Sequence, residues 1–281
     1  MPRRDQRKWA ARLARSSAAA LLVLLAVSNS GCVTTEILSS SSADRGSHVP
    51  ESVAKRDLGI DYLASHRTAM AIRELRASLK LDSSDPATNL WIGEAYRRKG
   101  KTDEAESFLR RAIELSDSDA ATETRQSALL NLSALLSQMG RYEESLPYCH
   151  ELANDPTFSS PWRPLTNCGW SLYQLGRLDE AASQYVEALD YFPRFGPALL
   201  NLGILRSKQG KKLAAINALE LALESGRLQA SAIGEANFRL GEIYVGLGRR
   251  DKAIVHFREA AEIAPFDAWG SQSQAYLDLL H

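Results

Sequence analysis

The chain has 281 residues, 44% hydrophobic and 24% charged, with 34 Lys and Arg balanced by 34 Asp and Glu. Residues 1–31 hold six of the basic residues and one of the acidic ones, so residues 32–281 hold 28 against 33 and carry a net charge near −5. That sign excludes nucleic acid, or an anionic membrane face, as the main partner of the folded part.

At the N-terminus, Arg3, Arg4, Arg7, Lys8, Arg12 and Arg15 flank the short apolar run Ala18 to Val27. A bilayer span needs roughly 20 apolar residues, so this run reads as the apolar part of a signal peptide over residues 1–31. Ser30-Gly31-Cys32 resembles a bacterial lipobox, although Asn29 stands where an apolar residue is usual. The resemblance implies that Cys32 is lipidated and heads the mature chain, which would anchor a soluble protein to a membrane. An ordinary signal cut between Ala26 and Ser30, or an uncleaved anchor, are the other readings of these residues. Val33 in place of Asp implies the outer membrane, by resemblance to the enterobacterial sorting rule. Residues 32–51, with Ser39 to Ser42 and Gly46, have no apolar period and are expected to form a flexible tether with a reach of roughly 25 Å.

Beyond the tether, a small residue recurs at Gly59, Gly93, Ser133, Gly169, Gly203 and Gly241, at spacings of 34, 40, 36, 34 and 38. Seven residues after each comes a turn position: His66, Gly100, Gly140, Gly176, Gly210 and Gly248. A second small residue follows (Ala71, Ala105, Ser145, Ala181, Ala215, Ala253), then a bulkier one (Leu75, Leu109, Cys149, Tyr185, Leu219, Phe257). This resembles the tetratricopeptide repeat, in which two helices, A and B, pack as a hairpin. The small position lets helix A approach helix B, and a glycine near the turn supplies a left-handed helix end. No single hairpin buries both of its faces, so repeats must stack. The expected fold is all-α: a superhelical solenoid of six helix hairpins over residues 52–267, starting near 52, 86, 126, 162, 196 and 234, with a capping helix over 268–281. The extra residues Ala120 to Arg125 and Ala230 to Ile233 fall before repeats three and six, where they should lengthen loops or helix ends.

In such arrays the A helices usually line the concave, partner-binding wall. The register puts Leu130, Ala134, Thr166, Trp170 and Tyr173 there, followed by Leu200, Ile204 and Phe238. Exposed Trp, Tyr and Phe on a concave surface are what binding anchors look like; packing of Trp170 and Phe238 between A helices is the alternative. Asn131, Asn167 and Asn201 align, two residues before each small position. Their amides could hold the backbone of an extended ligand, or serve hydrogen bonds within the array. Repeat two instead offers Glu94, Arg97 and Arg98, and only Arg56 suits a clamp for a terminal carboxylate.

Cys149 on helix B of repeat three and Cys168 on helix A of repeat four should lie close together. In an exported chain they could form a disulfide worth about 3 kcal/mol, or remain two buried thiols. Pro147 should kink or shorten its helix, and Pro156, Pro161 and Pro164 make the segment Asn154 to Asn167 stiff and bent.

Asp155-Pro156-Thr157-Phe158, then Pro161 or Pro164, then Asn167-Cys168-Gly169 resemble the central repeats of the type IV pilus pilotin lipoproteins (PilF, PilW and Tgl types). That family has six tetratricopeptide repeats behind a lipidated cysteine. The resemblance implies an outer-membrane lipoprotein whose partner is the pilus secretin, which it helps to localise or multimerise, with no reaction catalysed. Where the family has cysteine pairs, the first tends to lie near Leu136 or Ser137, not at Cys149. The competing reading is a general periplasmic scaffold for peptidoglycan enzymes or outer-membrane protein assembly.

No phosphate-loop, Gly-x-Ser-x-Gly or His-Glu-x-x-His pattern occurs. His48, His66, His150, His256 and His281 are scattered, without metal-ligand spacing. No cofactor, metal, catalytic residue, small-molecule substrate or nucleic-acid partner is expected.

Overall fold

The structure, a computed structural model, describes residues 49–117 and 121–280. The signal segment 1–31, Cys32, residues 33–48 of the tether and His281 lie outside the described residues.

Thirteen α-helices make up the described chain. Six hairpins run in order: α1 (Glu51–Ala64) with α2 (Thr68–Leu81), α3 (Pro86–Arg98) with α4 (Thr102–Glu114), and α5 (Thr122–Gln138) with α6 (Tyr142–Ala153). The second three are α7 (Trp162–Gln174) with α8 (Leu178–Tyr191), α9 (Gly196–Lys208) with α10 (Lys212–Glu224), and α11 (Ala230–Val245) with α12 (Arg250–Ile263). A last helix, α13 (Ala268–Leu280), lies against α12 and α11. The array is thus the all-α tetratricopeptide solenoid that the repeat spacing predicts.

Local chemistry explains the helix ends. Asp85 caps α3 by accepting from the backbone N–H groups of Ala87 and Thr88, with Pro86 in the first turn, where no donor is required. Within five hairpins the A helix ends on a glycine in the left-handed region, from φ +71° at Gly248 to φ +78° at Gly176. The first hairpin uses His66 at φ +59° instead, a conformation costing a residue with a Cβ roughly 1–2 kcal/mol.

The two longer spacings in the repeat pattern go into helix. α5 has 17 residues and α11 has 16, against 13 in α3, α7 and α9. Each insertion therefore adds about one turn at the start of an A helix. The stiff central segment is only partly bent: α7 already begins at Trp162, with Pro164 in its first turn. Proline fits there because the N–H groups of a first turn have no intrahelical acceptor. Pro147 stays inside α6, which at 12 residues is the shortest B helix.

The middle of the stack is held together differently from its ends. Cys149 of α6 and Cys168 of α7 form a disulfide, and both residues are buried. Beside it the hydroxyls of Ser137, Ser145 and Ser171 form a closed set at 2.7 to 3.2 Å, and Ser145 also donates to the Ser133 carbonyl. At the C-terminal end the last hairpin and α13 are joined by apolar contacts, such as Phe238 and Phe257 against Tyr276, while Ser78 of α2 and Thr88 of α3 share a buried hydroxyl bond of 3.0 Å near the N-terminal end.

Candidate functional site

Consecutive A helices (α1, α3, α5, α7, α9, α11) touch one another, whereas consecutive B helices share no comparable contact among the described residues. Neighbouring hairpins are therefore closest along their A helices, and the A helices form the inner, concave wall. Trp170, Tyr173, Asn131, Asn167 and Asn201 lie on it half-buried, and Ala134 is exposed.

Five residues assigned to that wall are buried rather than displayed on it. Phe238 is only 2% exposed, because Trp269 and Tyr276 of α13 cover it at ring separations of 5.4 and 5.8 Å. Leu200 and Ile204 are buried in the same C-terminal cluster, and Leu130 packs with Leu129 and Leu152. Thr166 turns its hydroxyl back to the Trp162 carbonyl at 2.7 Å. The apolar positions of an A helix serve the contact with the next hairpin, which leaves fewer for a ligand. The expected apolar groove over repeats three to six is accordingly reduced to the pair Trp170 and Tyr173.

That pair is well defined. The two rings stack at 5.6 Å with an interplanar angle of 22°, and the ammonium of Lys208 from α9 sits 4.6 Å from the Tyr173 centroid. Burial raises the Tyr173 phenol above its ordinary pKa, opposed by Arg239 and assisted by Glu235. Further along, Arg239 of α11 lies over the Trp269 ring at 4.9 Å and bonds Glu235 and Glu242. Burial lifts the Glu235 carboxyl above its ordinary pKa, against the pull of Arg239.

Towards the N-terminal half the wall holds a recess of about 240 Å³ between α3, α5 and α7. Arg97, Asn131, Gln138, Arg163 and Asn167 supply its polar lining, with Leu130, Ala134 and Leu135 beneath. Arg97 grips Glu94 with two bonds of 2.7 and 2.8 Å, while Arg98 bonds the same carboxylate and the Leu63 carbonyl. Burial alone would raise the pKa of Glu94; the bonds from both arginines outweigh it and hold it below the usual carboxylate range. Arg163 makes no ion pair among the described residues, and its side chain is exposed. Asn167 donates to the Ser133 hydroxyl at 3.2 Å, so at this position the aligned amide joins neighbouring repeats. Arg56 bonds Asp85 and Asp57, outside this recess.

Arg163, Gln138 and Lys208 did not stand out in the sequence. Arg163 lies one helical turn before Asn167, and Gln138 two turns after Asn131, so both fall on the exposed face of an A helix. Arg163 was obscured by the flanking Pro161 and Pro164, which disguise the start of α7.

The Asp155-Pro156-Thr157-Phe158 turn packs beside the base of this wall. Asp155 accepts from the Thr157 N–H and hydroxyl, and Gln126 of α5 donates to both Asp155 and Thr157 at 2.7 and 2.8 Å. Phe158 inserts among Leu129, Leu130 and Leu152. The turn thereby fixes the start of α7, and with it Arg163. Among the described residues no group of three or more His, Cys, Asp or Glu is placed to hold a metal, and no helix is long and apolar enough to cross a membrane.

Comparison with known proteins agrees with the geometry. Models of the tetratricopeptide repeat match residues 56–120, 125–153, 168–231 and 234–267, together more than half of the chain. The type IV pilus assembly protein PilF of Pseudomonas aeruginosa is 24% identical over 216 residues, covering 76% of this chain and 82% of that protein. The crystal structure of PilW, a type IV pilus biogenesis factor, superposes with a TM-score of 0.68 at 21% identity, over 80% of this chain and 98% of PilW. The structure of Pseudomonas aeruginosa PilF gives 0.64 at 19% identity, over 80% and 97%. Tetratricopeptide arrays are in general modules for binding other proteins. The chain belongs to the tetratricopeptide-repeat family and, at low identity but good coverage, is homologous to PilF.

Proposed function

We propose that this chain is an outer-membrane lipoprotein of the type IV pilus machinery, anchored through Cys32, with its repeats in the periplasm. In this reading it binds secretin subunits through its concave wall and promotes their localisation or multimerisation, thereby supporting pilus assembly and motility. It acts by binding and catalyses no reaction. The observation that carries the reading is the likeness to PilF across most of both chains. A lipid anchor would hold the wall near its partner and raise the effective concentration without new contacts.

The test is a blot for heat-resistant secretin multimers in outer membranes of a strain lacking the gene. Loss of multimers with monomer retained supports the reading. Normal multimers would overturn it in favour of a general periplasmic scaffold for peptidoglycan enzymes or outer-membrane protein assembly. Replacing Cys32 with Ala should release the protein from membranes; persistent pelleting would argue for an uncleaved N-terminal anchor.

A further inference from the structure

In the middle of the solenoid, though not in α1, α2 or α12, charge is segregated between the two layers. The A helices α3, α5, α7, α9 and α11 carry seven Lys and Arg against four Asp and Glu. The B helices α4, α6, α8 and α10 carry three against thirteen. Over these hairpins, residues that are net acidic outside the N-terminal 31 thus turn their more basic layer inward, and the recess between α3, α5 and α7 lies on it. Two guanidinium groups and three side-chain amides line it, and no carboxylate does. The one acid nearby, Glu94, is shared by Arg97 and Arg98, so this trio keeps a net positive charge to which Arg163 adds another.

We propose that this recess binds an acidic side chain, Asp or Glu, carried by an extended segment of the partner protein. Arg163 and the edge of Arg97 turned away from Glu94 supply the charge. Asn131 and Gln138 present amides that can donate to and accept from an extended backbone. Guanidinium suits this task because its planar fork matches a carboxylate. A side chain fits better than a chain terminus because the wall continues beyond the recess at both ends: past Asn167 to Trp170 and Tyr173 of the same helix, and past Arg97 to α1. The segment can therefore run on, an acidic residue at Arg163 and an apolar or aromatic one against the Trp170–Tyr173 stack. This deepens the groove reading by naming the chemistry of the segment bound.

The experiment exposes the full mature chain to an array of random peptides immobilised through their C-termini, so that no free terminal carboxylate is present. Bound peptides should be enriched in Asp or Glu, and binding should weaken as salt is raised. Arg163→Glu should lower binding of those peptides about tenfold and remove the acidic preference. It breaks no ion pair among the described residues, and circular dichroism will confirm the fold. Arg97→Gln, which keeps an amide beside Glu94, is the second variant and should weaken the same peptides. Absence of acidic enrichment, or enrichment that survives both substitutions, would falsify the proposal. So would binding seen only when peptides are offered with free C-termini, which would identify a terminal carboxylate as the ligand. The readout does not involve the secretin, so failure here leaves the multimer blot to judge the pilus role separately.

Discussion

The ring of Tyr185 in α8 occupies the space that a side chain on Gly169 in α7 would need: an added Cβ would lie 2.5 Å from Cε1 and 2.8 Å from Cδ1. Tyr185 is fully buried and its hydroxyl has no hydrogen-bond partner among the described residues, so ring burial against the glycine outweighs an unpaired polar atom. Gly169→Ala should therefore destabilise the protein, by about 1–2 kcal/mol. Overpacking a core costs roughly 1–3 kcal/mol, while the gain in helix propensity returns up to about 1. Urea denaturation of the mature chain checks this; a midpoint equal to or above that of the parent would show that the ring can move.

The same relationship shows how much was legible in the sequence. Gly59 meets Leu75, Gly93 meets Leu109, Gly203 meets Leu219 and Gly241 meets Phe257, each across the same interval. Short-range geometry sets that interval, so the spacing alone yields the hairpins, their turns and the solenoid. The inner wall was less legible. Periodicity marks which residues of a helix are apolar, but it does not say whether a flanking hairpin covers them. Phe238 was assigned to the groove because it stands three residues before the small position of its repeat, as Leu130, Thr166 and Leu200 do; α13 then covers it. Arg163 was hidden for a different reason: two prolines suggested an extended segment where a helix had already begun.

The disulfide between Cys149 and Cys168 closes a short loop between α6 and α7. It stands where the other hairpins place a bulky side chain against a glycine, with Ser133 and Cys149 in those two positions. Replacing both cysteines with Ser should lower stability by about 3 kcal/mol through the larger entropy of the unfolded chain. A reductant should shift the denaturation midpoint of the parent by a similar amount and leave the double variant unchanged. An equal shift in both would locate the effect of the reductant elsewhere.

His256 on α12 should make stability depend on pH in a defined window. Burial pushes its pKa below the ordinary value of about 6.5, opposed by Glu259 and Glu220, while its Nδ1 lies 2.9 Å from the Asn237 side-chain oxygen. The folded chain then binds fewer protons than the unfolded one between the lowered pKa and 6.5. This contribution is fully present above pH 6.5 and is lost as pH falls through that window. His256→Gln should flatten the dependence of the denaturation midpoint on pH between about 5 and 7 relative to the parent. An unchanged slope would assign the effect to other groups.

Trp170 is the aromatic residue of the wall whose removal should separate binding from folding. It is half-buried, whereas Tyr173 packs against the two core clusters on either side of it. Trp170→Ala removes the upper partner of the stack and should leave the helical signal and the melting profile close to the parent. Tyr173→Ala would open a gap between repeats and lower stability by about 3 kcal/mol or more, so a binding loss there would be ambiguous. Aromatic anchors that dominate an interface typically cost at least 2 kcal/mol on truncation, or about thirtyfold in affinity. Capture of solubilised secretin by the mature chain should accordingly fall by that order in Trp170→Ala. Tyr173→Phe, which keeps the ring beside Lys208, should bind like the parent. If Trp170→Ala captures secretin as well as the parent does, the contact lies away from the Trp170–Tyr173 stack. The recess at Arg163 and the outer B-helix face would then be the surfaces left to test by substitution.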